Sequence, residues 1–167
     1  MNFAIREATQ DDFEPLAQLT VLAFEPVFDS FAEILGPEIF AVVYPDWRAE
    51  QRGHVETAYK NDEVTVLMAD VDGTAAGLIT YAFNHETKIG EVQFLAVHPE
   101  YQNAGIGTQL NELVTQKMVA AGMRVVTVGT GGDGSHAPAR RAYEKAGFTA
   151  ALPSVYYFKK LPEVARK

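Results

Sequence analysis

Apolar and polar residues alternate in "FAIREA", residues 3–8, where Phe3 and Ile5 sit between polar neighbours, and this predicts a short opening strand. The rhythm then changes. Across "DDFEPLAQLTVLAF" Phe13, Leu16, Leu19, Leu22 and Ala23 fall on one face of a helix that Thr9 or Asp11 can cap. Pro15 suits that helix only near its first turn. From Glu25 to Lys60 the helical pattern is interrupted by Pro26, Pro37 and Pro45, which predicts two short helices and irregular connections. Two runs of strand character, "EVTVLMADV" and "TAAGLITYAF", flank Asp72-Gly73, a dipeptide that favours a tight hairpin. "KIGEVQFLAV" is a third strand. The next helix starts near Ile106, carries Leu110, Leu113, Val114 and Met118 on one side, and stops at Gly122. "RVVTVGT" reads as a strand of the buried type. "APARRAYEKA" reads as a helix with Pro138 near its start and Gly147 at its end. "SVYYFKK" reads as a closing strand, rich in aromatic and branched residues.

This order predicts a single α/β domain over residues 1–167 with a mixed sheet, its early strands joined by tight turns and its later ones through helices. The length suffices for a real core, and 47% hydrophobic with 22% charged residues is ordinary globular composition. A net charge of -8 with no basic stripe speaks against a nucleic-acid partner. It suits cationic small substrates, or serves only solubility. Absence of cysteine excludes disulfides, thiolate nucleophiles and cysteine metal sites. His54, His85 and His98 lack ligand spacing with carboxylates, so no metal is expected. "MNFAIREATQDDF" has no apolar core of signal-peptide length and no run approaches the ~18 apolar residues of a membrane span, so the expectation is a cytoplasmic protein without a membrane partner.

Candidate chemistry begins at "VHPEYQNAGIGTQL", residues 97–110, where Gly105 and Gly107 precede a helix in which glycine costs about 1 kcal/mol against alanine. Either the turn needs unusual dihedrals, or a ligand lies against bare backbone. A strand, a glycine turn and a helix amino terminus together make an anion site, because the first N–H groups lack partners and the helix dipole adds positive potential. No P-loop lysine follows Gly107, and Leu110 occupies the third glycine place of a dinucleotide fingerprint.

"QNAGIG", Gln102 to Gly107, resembles the Q/R-x-x-G-x-G/A acetyl-CoA signature of the GNAT acyltransferase superfamily, and it follows a strand ending "LAV-x-P" as in that family. "ARRAYEKAGF", residues 139–148, is similar to the A-x-x-x-Y-E-K-x-G-F segment of the family's last conserved helix. The resemblance spans nearly the whole chain. It implies a mostly antiparallel central sheet flanked by helices, with a strand pair splayed at the cofactor site. It further implies N-acetyl transfer from acetyl-CoA to a primary amine by direct attack in a ternary complex. Gln102, Asn103, Ala104, Gly105, Ile106, Gly107 and Thr108 would cradle the pyrophosphate. The strand end Leu95, Ala96 and Val97 would pair with the pantetheine arm beside a bulge.

By the same resemblance Tyr143 is the acid for the departing thiolate, a phenol whose usual pKa of ~10 suits that task, though a packing tyrosine fits the helix equally. Glu91 matches a glutamate that many relatives use as base, often through water; alternation puts it with Gln93 and opposite Val92 and Phe94. A plain ion pair with Lys88 is the other reading. His136 falls where many relatives carry an asparagine near the cofactor, and it also fits a capping or solvent role. "GTGGDGSH", residues 129–136, is a second glycine-rich loop that fits a flexible connection better than a phosphate site. Ser135-His136 lacks the G-x-S-x-G elbow of a hydrolase. The aromatics Phe24, Phe28, Phe31, Phe40, Tyr44 and Trp47, among Glu25, Asp29 and Glu33, make either an acceptor wall or core. A small cationic or aromatic amine is the favoured acceptor and a peptide or protein amine the alternative. Arg48 and Arg52 would reverse that preference if they pointed inward. A non-catalytic acyl-CoA-binding module and, more remotely, a Rossmann-type nucleotide binder are the rivals; a homodimer stays open.

Overall fold

The computed structural model describes residues 2–162. Strand β1 (Ala4–Glu7) is followed by α1 (Phe13–Val43), α2 (Trp47–Lys60), β2 (Val64–Val71), β3 (Thr74–Asn84), β4 (Ile89–Val97), α3 (Ile106–Ala120), β5 (Val125–Val128) and α4 (Ala137–Lys145). The sheet runs β1-β2-β3-β4-β5, antiparallel except for the parallel β4–β5 pair. Asp72 (φ 50°) and Gly73 (φ 84°) make the expected hairpin turn, two positive φ values in succession matching the twist of the flanking strands.

Both faces of the sheet are covered, which explains the continuous apolar run in β2. Leu67, Ala69, Ile79 and Val92 pack on Ile106, Leu110, Val114 and Met118 of α3. Val66, Met68, Leu78 and Ala96 pack on Leu16 and Leu19 of α1 and Val55 and Ala58 of α2. The alternation Val66/Met68 against Leu67/Ala69 is the period-two rule with each parity given to one layer.

Four expectations change. Helix α1 passes through Pro26 and breaks at Gly36 (φ 73°, ψ 162°), immediately before Pro37. The proline at 26 removes a bond to the Leu22 carbonyl, and Leu22 lies toward water, where that carbonyl can be hydrated. Leu22 therefore leaves the apolar stripe, while Thr20 is buried, its hydroxyl donating to Ala17 O at 2.8 Å. Strand β5 is a four-residue edge with Val125 exposed, and no buried central strand. Finally, "SVYYFKK" forms no strand: residues 149–162 are exposed and without regular structure. Strand propensity needs a paired edge to express itself, and none of the described strands receives this segment.

Candidate active site

Strands β4 and β5 are paired only from Ile89 to Val92, against Val125 to Val128, whereas β4 continues to Val97. Beyond Val92 that edge of β4 has no partner strand, because β5 ends at Val128. The end of that pairing coincides with a bulge: Tyr81 faces Val92 and Thr80 faces Phe94, which leaves Gln93 without a partner on β3. The bulge also exchanges faces. Val92 packs toward α3, yet Phe94, two residues on, stacks on Phe24 of α1 (5.0 Å). Glu91 thus shares its side of the sheet with Phe94, contrary to the alternation read from sequence.

At the strand end His98 N–H donates to Ala76 O of β3 (3.0 Å), so antiparallel alternation turns the peptide groups of Leu95 and Val97 away from β3, to the unpaired edge. Gln102 Nε2 already donates to Val97 O at 3.3 Å. The chain then reverses through Asn103 (φ 62°) and Gly105 (φ 84°) into α3. Gln109 N–H is the first to bond within the helix, to Gly105 O at 3.0 Å, which leaves Ile106, Gly107 and Thr108 with the uncommitted donors of the first turn. The two glycines differ in purpose. Gly105 occupies a left-handed conformation that other residues adopt with strain. A Cβ on Gly107 would stand 3.6 Å from Val97 and 3.7 Å from Ala142, an ordinary contact, so what its missing side chain preserves is space.

These elements enclose a cleft of about 470 Å³. Of the residues expected from sequence, Leu95, Ala96, Val97, Gln102, Asn103, Gly105, Ile106, Gly107, Thr108 and His136 line it. Ala104 does not; it packs on the core beneath α3. Neither Tyr143 nor Glu91 is part of the lining. Tyr143 follows the lining residue Ala142 on α4, is buried edge-on to Phe148 (5.8 Å), and burial pushes its phenol up to about 12. Glu91 is exposed. Sequence reasoning missed two cations of the lining, Arg141 and Lys145, one helical turn apart on α4; the i, i+4 spacing is the signal that could have found them.

The aromatic segment divides. Phe28 and Trp47 are buried and stacked at 4.4 Å, hence core, while Phe31, Phe40 and Tyr44 are half-buried beside them. Arg48 covers the Trp47 ring (4.2 Å) and pairs with Glu25 (3.0 Å), and Arg52 pairs with Glu14 (2.8 Å). Both arginines are thereby committed to carboxylates near the surface. Among the described residues no cluster of metal-ligating side chains occurs, and no helix is long and apolar enough to cross a membrane.

An unpaired strand end, the free donors of a helix's first turn and two cations in one cleft make a site whose chemistry suits an extended ligand carrying negative charge. The chain belongs to the acetyltransferase (GNAT) family, whose model matches residues 28–148, and it is accordingly an acyltransferase. An uncharacterized N-acetyltransferase of Archaeoglobus fulgidus is 24% identical over 76% of this chain and 81% of its own. The PaiA N-acetyltransferase of Thermoplasma acidophilum, solved with coenzyme A, superposes with a TM-score of 0.69 at 18% identity, covering 92% of this chain and 94% of the other. An aminoglycoside acetyltransferase from an uncultured soil metagenomic sample, solved with sisomicin, gives 0.61 at 22% identity, covering 96% and 97%. At these identities the structural likeness speaks to the fold.

Proposed function

We propose that this acyltransferase moves an acetyl group from acetyl-CoA to the primary amine of a small cationic molecule, in a ternary complex. The observation that carries the reading is the cleft that the end of β4, the α3 amino terminus, α1 and α4 form together. The pyrophosphate would lie on the N–H groups of Ile106, Gly107 and Thr108, with Arg141 and Lys145 supplying countercharge. The pantetheine arm would take the free peptide groups of Leu95 and the N–H of Val97. Asn103 and Gly105 shape the turn that presents the donors.

In the transfer, the amine nitrogen attacks the thioester carbonyl, the C–S bond breaks, and the thiolate takes a proton. Tyr143 is the proposed donor of that proton, relayed by water because the residue stands outside the lining: its raised pKa keeps the phenol protonated through the neutral range. Tyr143→Phe should lower kcat about 10²-fold with acetyl-CoA affinity kept, since ring packing survives. Unchanged turnover would reduce Tyr143 to packing. Glu91 stands outside the lining, so any role for it runs through water.

The acceptor reading rests on the chain's net charge of -8 and on the rings of Phe31 and Tyr44 at the α1–α2 end. The soil aminoglycoside acetyltransferase adds a precedent of fold for polycationic acceptors. The test is release of free thiol from acetyl-CoA with spermidine, kanamycin, tyramine, a peptide with a free amino terminus, and glucosamine 6-phosphate. The expected result is fastest release with the first three. Preference for the sugar phosphate would overturn the cationic reading, and preference for the peptide would move the acceptor to polypeptide. Coenzyme A binding without thiol release from any amine would leave a binding module.

A further inference from the structure

The loop between β5 and α4 is built around one carboxylate–imidazole hydrogen bond. Asp133 Oδ1 lies 2.6 Å from His136 Nδ1, with both side chains largely withdrawn from water. The other carboxylate oxygen accepts from the Ser135 N–H at 3.0 Å and from the Ser135 and Ser30 hydroxyls. Burial would raise the Asp133 pKa, but the bonds from Ser135 and His136 outweigh it and hold the carboxyl below its usual range. Arg140 clamps the loop, donating to Gly131 O at 2.5 Å and Asp133 O at 2.8 Å. Gly131 is the most telling residue. A Cβ there would fall 2.6 Å from Asp133 Oδ1 and 2.7 Å from His136 Cε1, so only glycine leaves room for the pair.

An ionised carboxylate at Nδ1 requires that nitrogen to donate, which makes Nε2 the acceptor of the neutral imidazole. Among the described residues nothing bonds Nε2. The ring lines the cleft and lies 5.8 Å from the Phe31 ring of α1, at the junction of the cleft with the half-buried aromatics. Ser135 Oγ approaches Nδ1 (3.3 Å), the nitrogen already given to Asp133, so the three residues do not form a hydrolytic triad.

We propose that His136 is the proton acceptor for the incoming amine and that Asp133 is its positioning residue, an inference that rests on the acetyl-transfer reading above. The acceptor ammonium gives one proton to Nε2. The freed lone pair attacks the carbonyl, the N–C bond forms as the C–S bond breaks, and Tyr143, having protonated the thiolate, recovers the second proton that the new amide nitrogen sheds. The imidazolium returns its own proton to solvent. Asp133 stabilises the imidazolium and fixes the tautomer without itself becoming protonated. The ionisable groups around the ring are Asp133 on its own loop and Arg140, Arg141 and Lys145 from α4. Helix α1 contributes Ser30 and Phe31, which do not titrate in the working range.

The test is kcat and KM against pH for wild type, His136→Gln, Asp133→Asn, Gly131→Ala and Glu91→Gln, with the fastest amine of the panel above. His136→Gln should cut kcat about 10²-fold and remove the acidic limb of the profile, while KM for acetyl-CoA changes by less than about threefold. Asp133→Asn should lower kcat about 10-fold and move that limb, and Gly131→Ala should imitate it with both ionisable groups still present. An acidic limb that Glu91→Gln removes and His136→Gln keeps would place the base at Glu91 and overturn the proposal. An active wild type whose acidic limb survives in folded His136→Gln overturns this proposal alone. A wild type that releases no thiol with any amine overturns the transfer reading and this proposal with it.

Discussion

Arg6 and Asp12 bracket the entry to α1. The guanidinium donates to both carboxylate oxygens at 2.7 Å and reaches Asp70 at 3.3 Å, while the Thr9 N–H and hydroxyl donate to the same carboxylate. The Arg6 bond is the largest cause that holds the Asp12 carboxyl well below the usual carboxylate range. A carboxyl whose pKa is depressed by folding contributes stability above its unfolded pKa, near ~4, and loses it as pH falls toward the folded value. Arg6 is exposed enough for solvent to screen the pair, so the contribution is on the order of 1 kcal/mol. Asp12→Asn should therefore lower the melting temperature by about 2–4 °C at pH 7. The gap should narrow as pH falls below about 4 and close only well under the usual carboxylate range, where native Asp12 takes its proton. A gap that persists there would assign the effect to packing.

At the scale of elements, the two glycines at the start of α3 should separate in experiment. Gly105→Ala forces a left-handed residue and should cost about 1 kcal/mol in stability with cleft space unchanged. Gly107→Ala should be tolerated, because its Cβ meets Val97 and Ala142 at ordinary distance. Gly107→Leu should abolish the coenzyme A-induced melting shift while the apo protein stays folded. Equal loss of folding and binding in Gly107→Leu would make this residue part of the turn alone. The glycine pair was legible in the sequence, but the division of labour was not: φ at 105 and the neighbours of 107 depend on where β4 and α4 come to rest.

For the whole molecule, the ligand cleft joins β4, α3 and α4, elements contributed by separate stretches of chain. A ligand that binds only the folded state stabilises by about 2.7 kcal/mol at a hundredfold excess over Kd. Coenzyme A should thus raise the melting temperature by about 5–10 °C in a domain of this size. Arg141→Ala with Lys145→Ala should reduce that shift at fixed coenzyme A, and added salt should reduce it further in wild type. Arg52→Ala, which breaks the distant pair with Glu14, should leave the shift unaltered. A double variant that shifts like wild type would remove the countercharge role.

What the sequence by itself determined is everything set within a few residues: the strand and helix periods, the Asp72-Gly73 turn, the starts and stops of α3 and α4, and the backbone signature from Gln102 to Gly107. These are local steric and hydrogen-bonding preferences, and they act wherever the chain lies. Tertiary structure decided the rest. The bulge at Gln93 moved Phe94 to the other face and with it the company Glu91 keeps, because parity holds only while each residue has a partner. Helix α1 continued through Pro26 at a point where Leu22, whose carbonyl the proline leaves unbonded, lies exposed. Residues 154–160 carry strand propensity but were given no edge to pair with. The Asp133–His136 pair exists because Gly131 leaves it space and Arg140 holds its loop, an arrangement made by close approach rather than by pattern.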